Sequence, residues 1–387
     1  MRRRTLYKVI SFIFVLILII PCTGILREKR NVELIAEMEN RTISNKPTAT
    51  LFSAKFFSEA EDWFNDRLLG RKDLIRLWSS LNGKLFNTLI SKEIVMGKDG
   101  FLFFPFYLND KIVDQEKKVE TLVKIKDLCK EKGANFTVFI VPPGEWVFPE
   151  LIPSKYEPVD LKRLEKITGE VFSENGLDYC FVGQKFVEDF ELEERKSLYY
   201  QGDYHWNDKG AYYGAKSLLM HLKLDNNIHK NVSYKYEKGS AEIYTRKIGW
   251  DAIESIVEVP WSENFNYNFI EQSNVDGKLY DSVVRGVAHK GEAIYINEKA
   301  TSKMKVLILG DSFFSAMRNY LLQDIRMVVY THCSGISSPK QFIDVKSLVE
   351  KYEPDIVIYE KMGSFFYGHG YDAVFENYKF KIINLKD

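Results

Sequence analysis

The sequence predicts an α/β domain built on a mainly parallel sheet. Buried strands alternate with amphipathic helices along most of the chain, and this order is typical of parallel sheets. The clearest strand is Val306-Leu307-Ile308-Leu309, because four consecutive apolar residues indicate burial on both faces. Of the 387 residues, 45% are hydrophobic and 14% aromatic, which excludes a disordered chain and allows one large or two modest domains.

The elements follow in a regular order. Residues 54–86 have apolar and aromatic side chains at helical spacing, and residues 97–104 read as a turn followed by a strand. The spacing then predicts helices at residues 119–132, 161–174, 207–222, 313–325 and 340–351. It predicts strands at residues 136–141, 178–181, 306–309, 327–330 and 356–359.

The N-terminus predicts a membrane anchor. Basic residues at positions 2, 3, 4 and 8 precede an apolar run, and residues 6–26 are about long enough to cross a bilayer. The basic flank predicts that this end stays in the cytoplasm and the remainder is exported. No A-x-A-like cleavage site follows, so we expect an uncleaved signal anchor at residues 1–26, with a cleaved signal peptide as the alternative. We expect a polar tether at 27–50 and a catalytic domain at 51–387.

Charge and cysteine usage exclude several classes of protein. The 54 basic and 54 acidic residues cancel, so no basic face for nucleic acid is indicated. The four cysteines lack C-x-x-C spacing, which indicates neither a zinc site nor a disulfide framework. We therefore expect no metal and no cofactor. Cys129 and Cys180 lie in apolar periodic segments and are expected to be core thiols.

Ser312 is the candidate nucleophile. It follows the strand at 306–309 after Gly310, which permits a tight turn, and it precedes a helical run. Such a serine lies at the sheet's ligand-binding edge, beside backbone N–H groups that the helix start leaves free. A serine needs a base, and the best candidate is His205, because Asp203 could fix its tautomer.

Each of these short motifs also has a structural interpretation. Ser312 could merely cap a helix, and His205 could be a buried or a surface histidine. A metal site is disfavoured, because Asp203 and His205 have no third ligand in sequence. His332 follows the next strand and could line the site.

Several segments together resemble the DHHW, AlgJ/AlgX-like branch of the SGNH (GDSL) hydrolase superfamily, the branch of the alginate O-acetyltransferases. Asp and His precede Ser, the reverse of the order in ordinary SGNH enzymes. The resemblance covers residues 51 to about 359 and thins at residues 225–300. The matching pieces are the basic anchor, Asn65-Asp66-Arg67, Gly97-Lys98-Asp99-Gly100-Phe101-Leu102, Val141-Pro142-Pro143 with Pro149, Tyr200-Gln201-Gly202-Asp203-Tyr204-His205-Trp206, and Gly310-Asp311-Ser312-Phe313.

The resemblance implies an SGNH-hydrolase-like, flavodoxin-like sandwich and assigns roles to residues. Ser312 corresponds to the nucleophile, His205 to the general base and Asp203 to the residue that orients it. The Ser312 backbone N–H is one expected oxyanion donor, while the family's oxyanion Asn and Gly have no assigned counterpart. The candidates near the site or its oxyanion hole are Gly310, Asp311, Tyr204 and Trp206.

The chain departs from the family's pattern at two places. Tyr204 stands where a second histidine is usual, and we expect its side chain to point away from the site. Lys361 and Met362 stand where an arginine is usual near the end of the last strand, which affects the expected substrate contacts.

The function that the resemblance implies is a membrane-tethered, extracytoplasmic O-acetyltransferase acting on a cell-surface or secreted polysaccharide. The acetyl donor would be relayed by a membrane-bound O-acyltransferase-type partner, and the acceptor would be a sugar hydroxyl. One alternative is a carbohydrate acetylesterase with the same triad, in which water is the acceptor. Another is a catalytically inactive polysaccharide-binding protein, against which the intact Ser/His/Asp set argues.

Residues 225–300 lose the helix–strand alternation and indicate an inserted β-rich segment near the active face. Its aromatic residues are candidates for a sugar platform, namely Trp250, Trp261 and Tyr267. The alternating pattern in residues 265–269 predicts a strand with Phe265, Tyr267 and Phe269 on one face. The alternative is that these aromatic residues form the core of a small β subdomain.

Overall fold

A computed structural model describes residues 2–27, 43–86, 90–91, 93–108, 115–225, 227–241, 243–275, 278–280, 291–333, 342–367, 371–376 and 379–384. The chain divides into two compact units. The first comprises Met1–Met96 with Glu242–Ala252, and the second comprises Gly97–Ala241 with Ile253–Asp387. Most of the predicted tether, residues 28–42, lies outside the described residues.

The helices and strands alternate through the second unit. The helices are α1 (Arg2–Cys22), α2 (Ala54–Asn65), α3 (Arg71–Phe86), α4 (Gln115–Glu131), α5 (Gly144–Val147), α6 (Leu161–Glu174), α7 (Gly183–Asp189), α8 (Leu192–Lys196), α9 (Asp208–His221), α10 (Ile243–Lys247), α11 (Phe314–Leu321), α12 (Val345–Tyr352) and α13 (Gly363–Phe366). The strands are β1 (Val95–Met96), β2 (Leu102–Phe103), β3 (Asn135–Val141), β4 (Asp178–Phe181), β5 (Ser233–Ala241), β6 (Ile253–Trp261), β7 (Ile270–Val275), β8 (Lys278–Tyr280), β9 (Glu292–Ile296), β10 (Ser302–Gly310), β11 (Ile325–His332), β12 (Phe342–Asp344), β13 (Ile356–Met362), β14 (Tyr371–Glu376) and β15 (Lys379–Asn384).

The second unit is organised around an eight-stranded sheet in the order β4-β3-β13-β10-β11-β9-β7-β8. The first five strands pair in parallel, whereas β9, β7 and β8 pair antiparallel. The predicted α/β fold with a mainly parallel sheet is therefore confirmed. Strand β10, which precedes Ser312, lies between β13 and β11 in the middle of this sheet.

The core lies on both faces of the sheet. Leu307 and Leu309 of β10 belong to a cluster of buried residues that helices α4, α6 and α12 also contribute to. Because side chains alternate along a strand, Val306 and Ile308 point to the opposite face, and both are fully buried. Burial on both faces explains why this strand is a continuous apolar run. The predicted core thiols Cys129 and Cys180 are buried as well.

Two predicted helices differ from the observed ones. The region 54–86 forms two helices instead of one, because Gly70 adopts a left-handed φ of 70° between α2 and α3. The helix predicted at 340–351 begins only at Val345, since the Asp344 side chain caps it by accepting from the Ser347 N–H. The three residues before it form β12, and residues 334–341 lie outside the described residues.

The strand predicted at residues 265–269 is wrong, since no regular strand forms before β7 begins at Ile270. Asn266 explains the difference. Its backbone N–H donates to Gln323 Oε1 (2.7 Å), and its side-chain amide donates to Asn297 Oδ1 (2.6 Å). These side-chain bonds satisfy the backbone without a strand partner. Elsewhere in residues 225–300, β7, β8 and β9 extend the main sheet, while β5 and β6 form a separate antiparallel hairpin.

The first unit contains the apolar N-terminal helix. Within the described part of the chain, the segment Thr5–Ile25 is the one helix that is long and apolar enough to cross a membrane. This statement concerns length and composition alone. The side chains of this segment that the structure describes are mostly exposed, as a membrane-spanning helix requires and as a core helix does not.

Candidate active site

The sharp turn between β10 and α11 presents Ser312. Strand β10 ends at Gly310, where a Cβ atom would lie 2.5 Å from Glu360 Oε2, so a larger residue does not fit. The buried Asp311 carboxylate fixes the turn from both sides. Its Oδ1 accepts from the Phe313 N–H (3.1 Å), and its Oδ2 accepts from the Met362 N–H (2.7 Å). Asp311 therefore positions the serine, and its carboxylate is an acceptor instead of an oxyanion donor.

Glu360 is a second buried carboxyl beneath this turn, and the sequence reasoning missed it. Its Oε2 accepts from the Asp311 backbone N–H at 2.7 Å. Burial, and next the charge of Asp311, raise the pKa of Glu360 well above its ordinary value, so the group stays protonated at neutral pH. The available signal was an acidic residue in the otherwise apolar strand β13.

The loop before α9 carries the other two members of the predicted triad. Tyr199 and Trp206 form an isolated antiparallel bridge that closes the loop. Asn207 then caps α9, because its side chain accepts from the Lys209 and Gly210 N–H groups. The loop ends are thus held by backbone and cap hydrogen bonds, and Asp203 and His205 lie between them.

The structure brings Asp203, His205 and Ser312 together in one chain of hydrogen bonds. Asp203 Oδ1 lies 2.8 Å from His205 Nδ1 and also accepts from the His205 backbone N–H at 3.1 Å. A carboxylate only accepts, so Nδ1 carries the hydrogen and Nε2 is left as a base. That Nε2 lies 2.6 Å from Ser312 Oγ. Asp203 is buried, whereas the other two side chains are partly exposed. The arrangement can therefore take the proton of the serine hydroxyl.

The Ser312 backbone N–H is a candidate oxyanion donor. Among the described residues it has no hydrogen-bond acceptor, whereas the neighbouring Phe313 N–H is bound by Asp311. A donor one peptide from the nucleophile points to the region where an acyl oxygen would develop negative charge.

The prediction that Tyr204 points away from the site is wrong. Its ring stacks on the His205 imidazole, and its hydroxyl hydrogen-bonds the Ser312 side chain. Its backbone oxygen accepts from the Gly144 N–H (3.1 Å), which ties the residue to the loop after β3 and turns the side chain inward. Burial, and next the charges of Asp203 and Asp311, raise the pKa of Tyr204, so its hydroxyl remains a donor.

Two further aromatic residues brace the site. The Trp206 indole N–H donates to the Phe313 carbonyl (3.1 Å), and the two rings meet edge to face at 5.1 Å. Trp206 thus links the His205 loop to the start of α11. Tyr107 packs edge-on against Tyr204, with ring centroids 5.5 Å apart. Nothing in the sequence pointed to Tyr107, because its approach depends on a contact between distant segments.

His332 lies on the strand beside the nucleophile, since it pairs with Gly310 in the β10–β11 register. The Tyr330 hydroxyl donates to the Asp311 carbonyl (2.8 Å), so it accepts from His332 Nδ1, 2.7 Å away. The residues that replace the usual arginine lie behind the turn. Lys361 is buried and donates to the Cys333 carbonyl (3.1 Å), and the Met362 N–H holds Asp311.

The structure does not gather the three platform candidates around the triad. Trp250 belongs to the first unit, whereas Trp261 and Tyr267 belong to the second. The Tyr267 hydroxyl donates to the Pro260 carbonyl (3.4 Å), so Tyr267 and Trp261 are neighbours, and both side chains are at least partly exposed. Trp261 lies at one end of the β5–β6 hairpin, and Lys235 covers its ring at 4.2 Å.

Sequence comparison supports the resemblance that the motifs indicated. Residues 94–254 match the family model described as "SGNH hydrolase-like domain, acetyltransferase AlgX". The matched region includes Asp203 and His205 and ends before Ser312. Among curated proteins, no sequence matches the chain. The chain thus contains an AlgX-like SGNH domain of the acetyltransferase type.

Solved structures give the same fold. PatB1 from Bacillus cereus aligns at 16% identity with a TM-score of 0.51, over 70% of this chain and 96% of that chain. The same protein with a sulfonyl adduct aligns at 16% identity with a TM-score of 0.52, over 72% and 96%. A DHHW family protein from Eubacterium siraeum aligns at 12% identity with a TM-score of 0.47, over 73% and 94%. At these identities the PatB1 alignments show the fold alone.

Proposed function

We propose that this AlgX-like chain is an O-acetyltransferase that moves an acetyl group through Ser312 to a hydroxyl of a cell-surface or secreted polysaccharide. The observation that carries the proposal is the hydrogen-bonded series from Asp203 through His205 to Ser312, at 2.8 and 2.6 Å. The match to an acetyltransferase-type domain supports acyl transfer over other serine chemistry. A catalytically inactive binding protein would have no need of this alignment.

In the first half-reaction, Ser312 Oγ attacks the carbonyl carbon of an acetyl ester or thioester. His205 Nε2 takes the hydroxyl proton as the Oγ–C bond forms, and Asp203 stabilises the resulting imidazolium. The Ser312 N–H is directed at the developing oxyanion. When the intermediate collapses, the donor's alcohol or thiol leaves with the proton from His205, and Ser312 holds the acetyl group.

In the second half-reaction, a sugar hydroxyl attacks the acetyl-serine carbonyl. His205 Nε2 takes the proton of that hydroxyl and then returns it to Ser312 Oγ as the acyl bond breaks. Atoms balance, since one acetyl group and one proton have changed places. Water in the same position would make the protein an acetylesterase.

We further propose that the chain acts outside the cytoplasm, anchored by residues 1–26, and receives its acetyl group from a membrane-bound acyltransferase-type partner. The apolar segment Thr5–Ile25 and its basic flank support the anchor. An anchored chain would fractionate with membranes and resist extraction by high salt, which removes only electrostatic attachment. Release of a chain beginning after Cys22 would contradict the anchor and leave export standing.

The experiment that tests the function uses a chromogenic acetyl ester as donor and polysaccharide fragments as acceptors. A transferase would raise the amount of acetylated sugar with acceptor concentration, with little free acetate. Ser312→Ala is the matched control and should give neither product. Equal acetate release with and without every acceptor tested would identify an esterase. Acetylated sugar produced by Ser312→Ala would overturn the assigned nucleophile.

A further inference from the structure

We infer that helix α3 lies in the headgroup region of the membrane, with an exposed apolar stripe (Leu74, Leu77, Trp78 and Leu81) in contact with lipid. The inference rests on the proposed membrane anchor and adds a second attachment point to it. The occupant is a phospholipid surface. A partner protein is the competing occupant, and the experiment below separates the two.

The stripe is one continuous face of α3. Its residues follow at i, i+3, i+4 and i+7, which places them on the same side of a helix. Leu74 and Leu81 are each 46% exposed, Leu77 is 58% exposed and Trp78 is 63% exposed. A contiguous exposed apolar face of this kind marks an interaction surface, whereas single exposed leucines do not.

The face that α3 buries is polar, so its amphipathicity is inverted. Ser79 and Asn82 are buried, where Ser79 Oγ donates to the Ile75 carbonyl (2.8 Å) and the Asn82 amide donates to the Ile90 carbonyl (3.4 Å). A helix of a water-soluble surface does the opposite and turns its apolar face inward. The sequence of α3 therefore suits an apolar medium outside the protein.

The anchor brings α3 to the level of the headgroups. The Leu69 N–H donates to the Pro21 carbonyl (2.8 Å), and a Cβ at Gly24 would lie 2.1 Å from the Arg67 carbonyl oxygen. Pro21 and Gly24 lie in the last turns of the candidate span Thr5–Ile25, at its extracytoplasmic end. Helix α3 begins at Arg71, so Leu74 is within roughly 8 Å of Leu69 along a helical chain. The stripe thus starts beside the point where the anchor leaves the bilayer.

Charge and residue type favour lipid over a protein partner. The first two turns of α3 carry Arg71, Lys72 and Arg76 against a single acid, Asp73, and an anionic surface attracts such an excess. Lys72 and Arg76 are held near Asp251 at 3.7 and 2.9 Å, on the side away from the stripe. Tryptophan prefers the headgroup level, and a basic helix with Trp and Leu on one face is typical of interfacial binding.

The test uses the full-length chain in vesicles of phosphatidylcholine and phosphatidylglycerol. Nitroxide labels are attached at Leu81→Cys on the stripe, Lys72→Cys on the opposite side, and Ile13→Cys within the anchor, in a Cys22→Ser background. Leu81 and Lys72 are both exposed, so neither change removes a core contact. Collision rates with oxygen, which concentrates in lipid, and with an aqueous nickel chelate report the surroundings of each label.

We expect the oxygen-to-nickel ratio to be several-fold higher at positions 81 and 13 than at position 72. Nickel accessibility at 81 equal to that at 72, with 13 shielded, would overturn the stripe and keep the anchor. Accessibility at both 13 and 81 would contradict the anchor and the stripe together. A label at 81 that is exposed in pure lipid and shielded in native membranes would identify a protein partner instead of lipid.

Discussion

The ring of Tyr204 stacks on the imidazole of His205, with centroids 4.1 Å apart and planes inclined by 31°. The Tyr204 hydroxyl also hydrogen-bonds the Ser312 side chain. One residue therefore contacts both the base and the nucleophile. Its raised pKa keeps the phenol protonated, so it can donate to Ser312 Oγ or to an oxyanion formed beside it.

Tyr204→Phe removes that donor and keeps the stacked ring. If the hydroxyl stabilises charge in the transition state, kcat should fall by about 10²-fold. The free energy of unfolding should change by only about 1 kcal/mol, the net worth of one hydrogen bond. Kinetics with a chromogenic ester and a melting curve measure the two effects. Tyr204→His, which restores the family's usual residue, is the matched variant. A wild-type kcat for Tyr204→Phe would exclude a role in the chemistry.

Asp203→Asn tests the orientation of His205. The amide can donate to Nδ1, which would place the hydrogen on Nε2 and leave Ser312 without a base. We expect kcat to fall by about 10³- to 10⁴-fold, as in other Ser-His-Asp triads, with little change in KM. Retention of more than a tenth of the wild-type rate would show that the Asp203–His205 contact (2.8 Å) is not catalytic.

The buried Glu360 predicts a specific pH dependence of stability. Its folded-state pKa lies above the ordinary value of 4.5, so the folded protein keeps a proton that the unfolded chain releases. That contribution is fully present below about pH 4.5 and is lost as the pH rises toward the folded pKa. Glu360→Gln cannot ionise and keeps an acceptor for the Asp311 N–H. The melting temperature of the variant minus that of the wild type should therefore increase from about pH 5 to about pH 8. A difference that stays constant with pH would show that Glu360 does not hold this proton.

Trp261→Ala tests the proposed sugar platform. Because Trp261 is only partly buried, the melting point should fall far less than for Trp206→Ala, a fully buried control expected to lose about 3–5 kcal/mol. Trp261 and Gly239 lie near opposite ends of the hairpin, roughly 20 Å apart along the strand, and Gly239 lies against Tyr200 of the catalytic loop. A polymer can span that distance. Transfer to polymer should therefore weaken while transfer to a small acceptor survives. Equal loss for both acceptors would contradict the platform.

The local parts of the site could be predicted from sequence, because local patterns determine them. The apolar run before Gly310 specifies a buried strand and a turn at Ser312, and the two-residue spacing of Asp203 and His205 permits their hydrogen bond. The inward position of Tyr204 could not be predicted, since it depends on a backbone bond to Gly144.

Other features depend on partners far away in the chain. Glu360 acquires its role only because β13 pairs with β10, which places its carboxyl under Asp311. The alternation of residues 265–269 fits a strand, but side-chain bonds of Asn266 to Gln323 and Asn297 replace the ladder. The inverted amphipathicity of α3 is also invisible to periodicity, which finds an apolar face without saying whether protein covers it.

The central claim is that Ser312 carries the acetyl group between donor and acceptor. The most direct measurement is the mass of the intact protein, and of its peptides, after brief exposure to an acetyl ester without acceptor. The account predicts an added mass of one acetyl group on the peptide containing Ser312, its absence in Ser312→Ala, and its loss when a sugar acceptor is added. Acetylation of another residue that turns over with acceptor, or full transfer activity in Ser312→Ala, would contradict it.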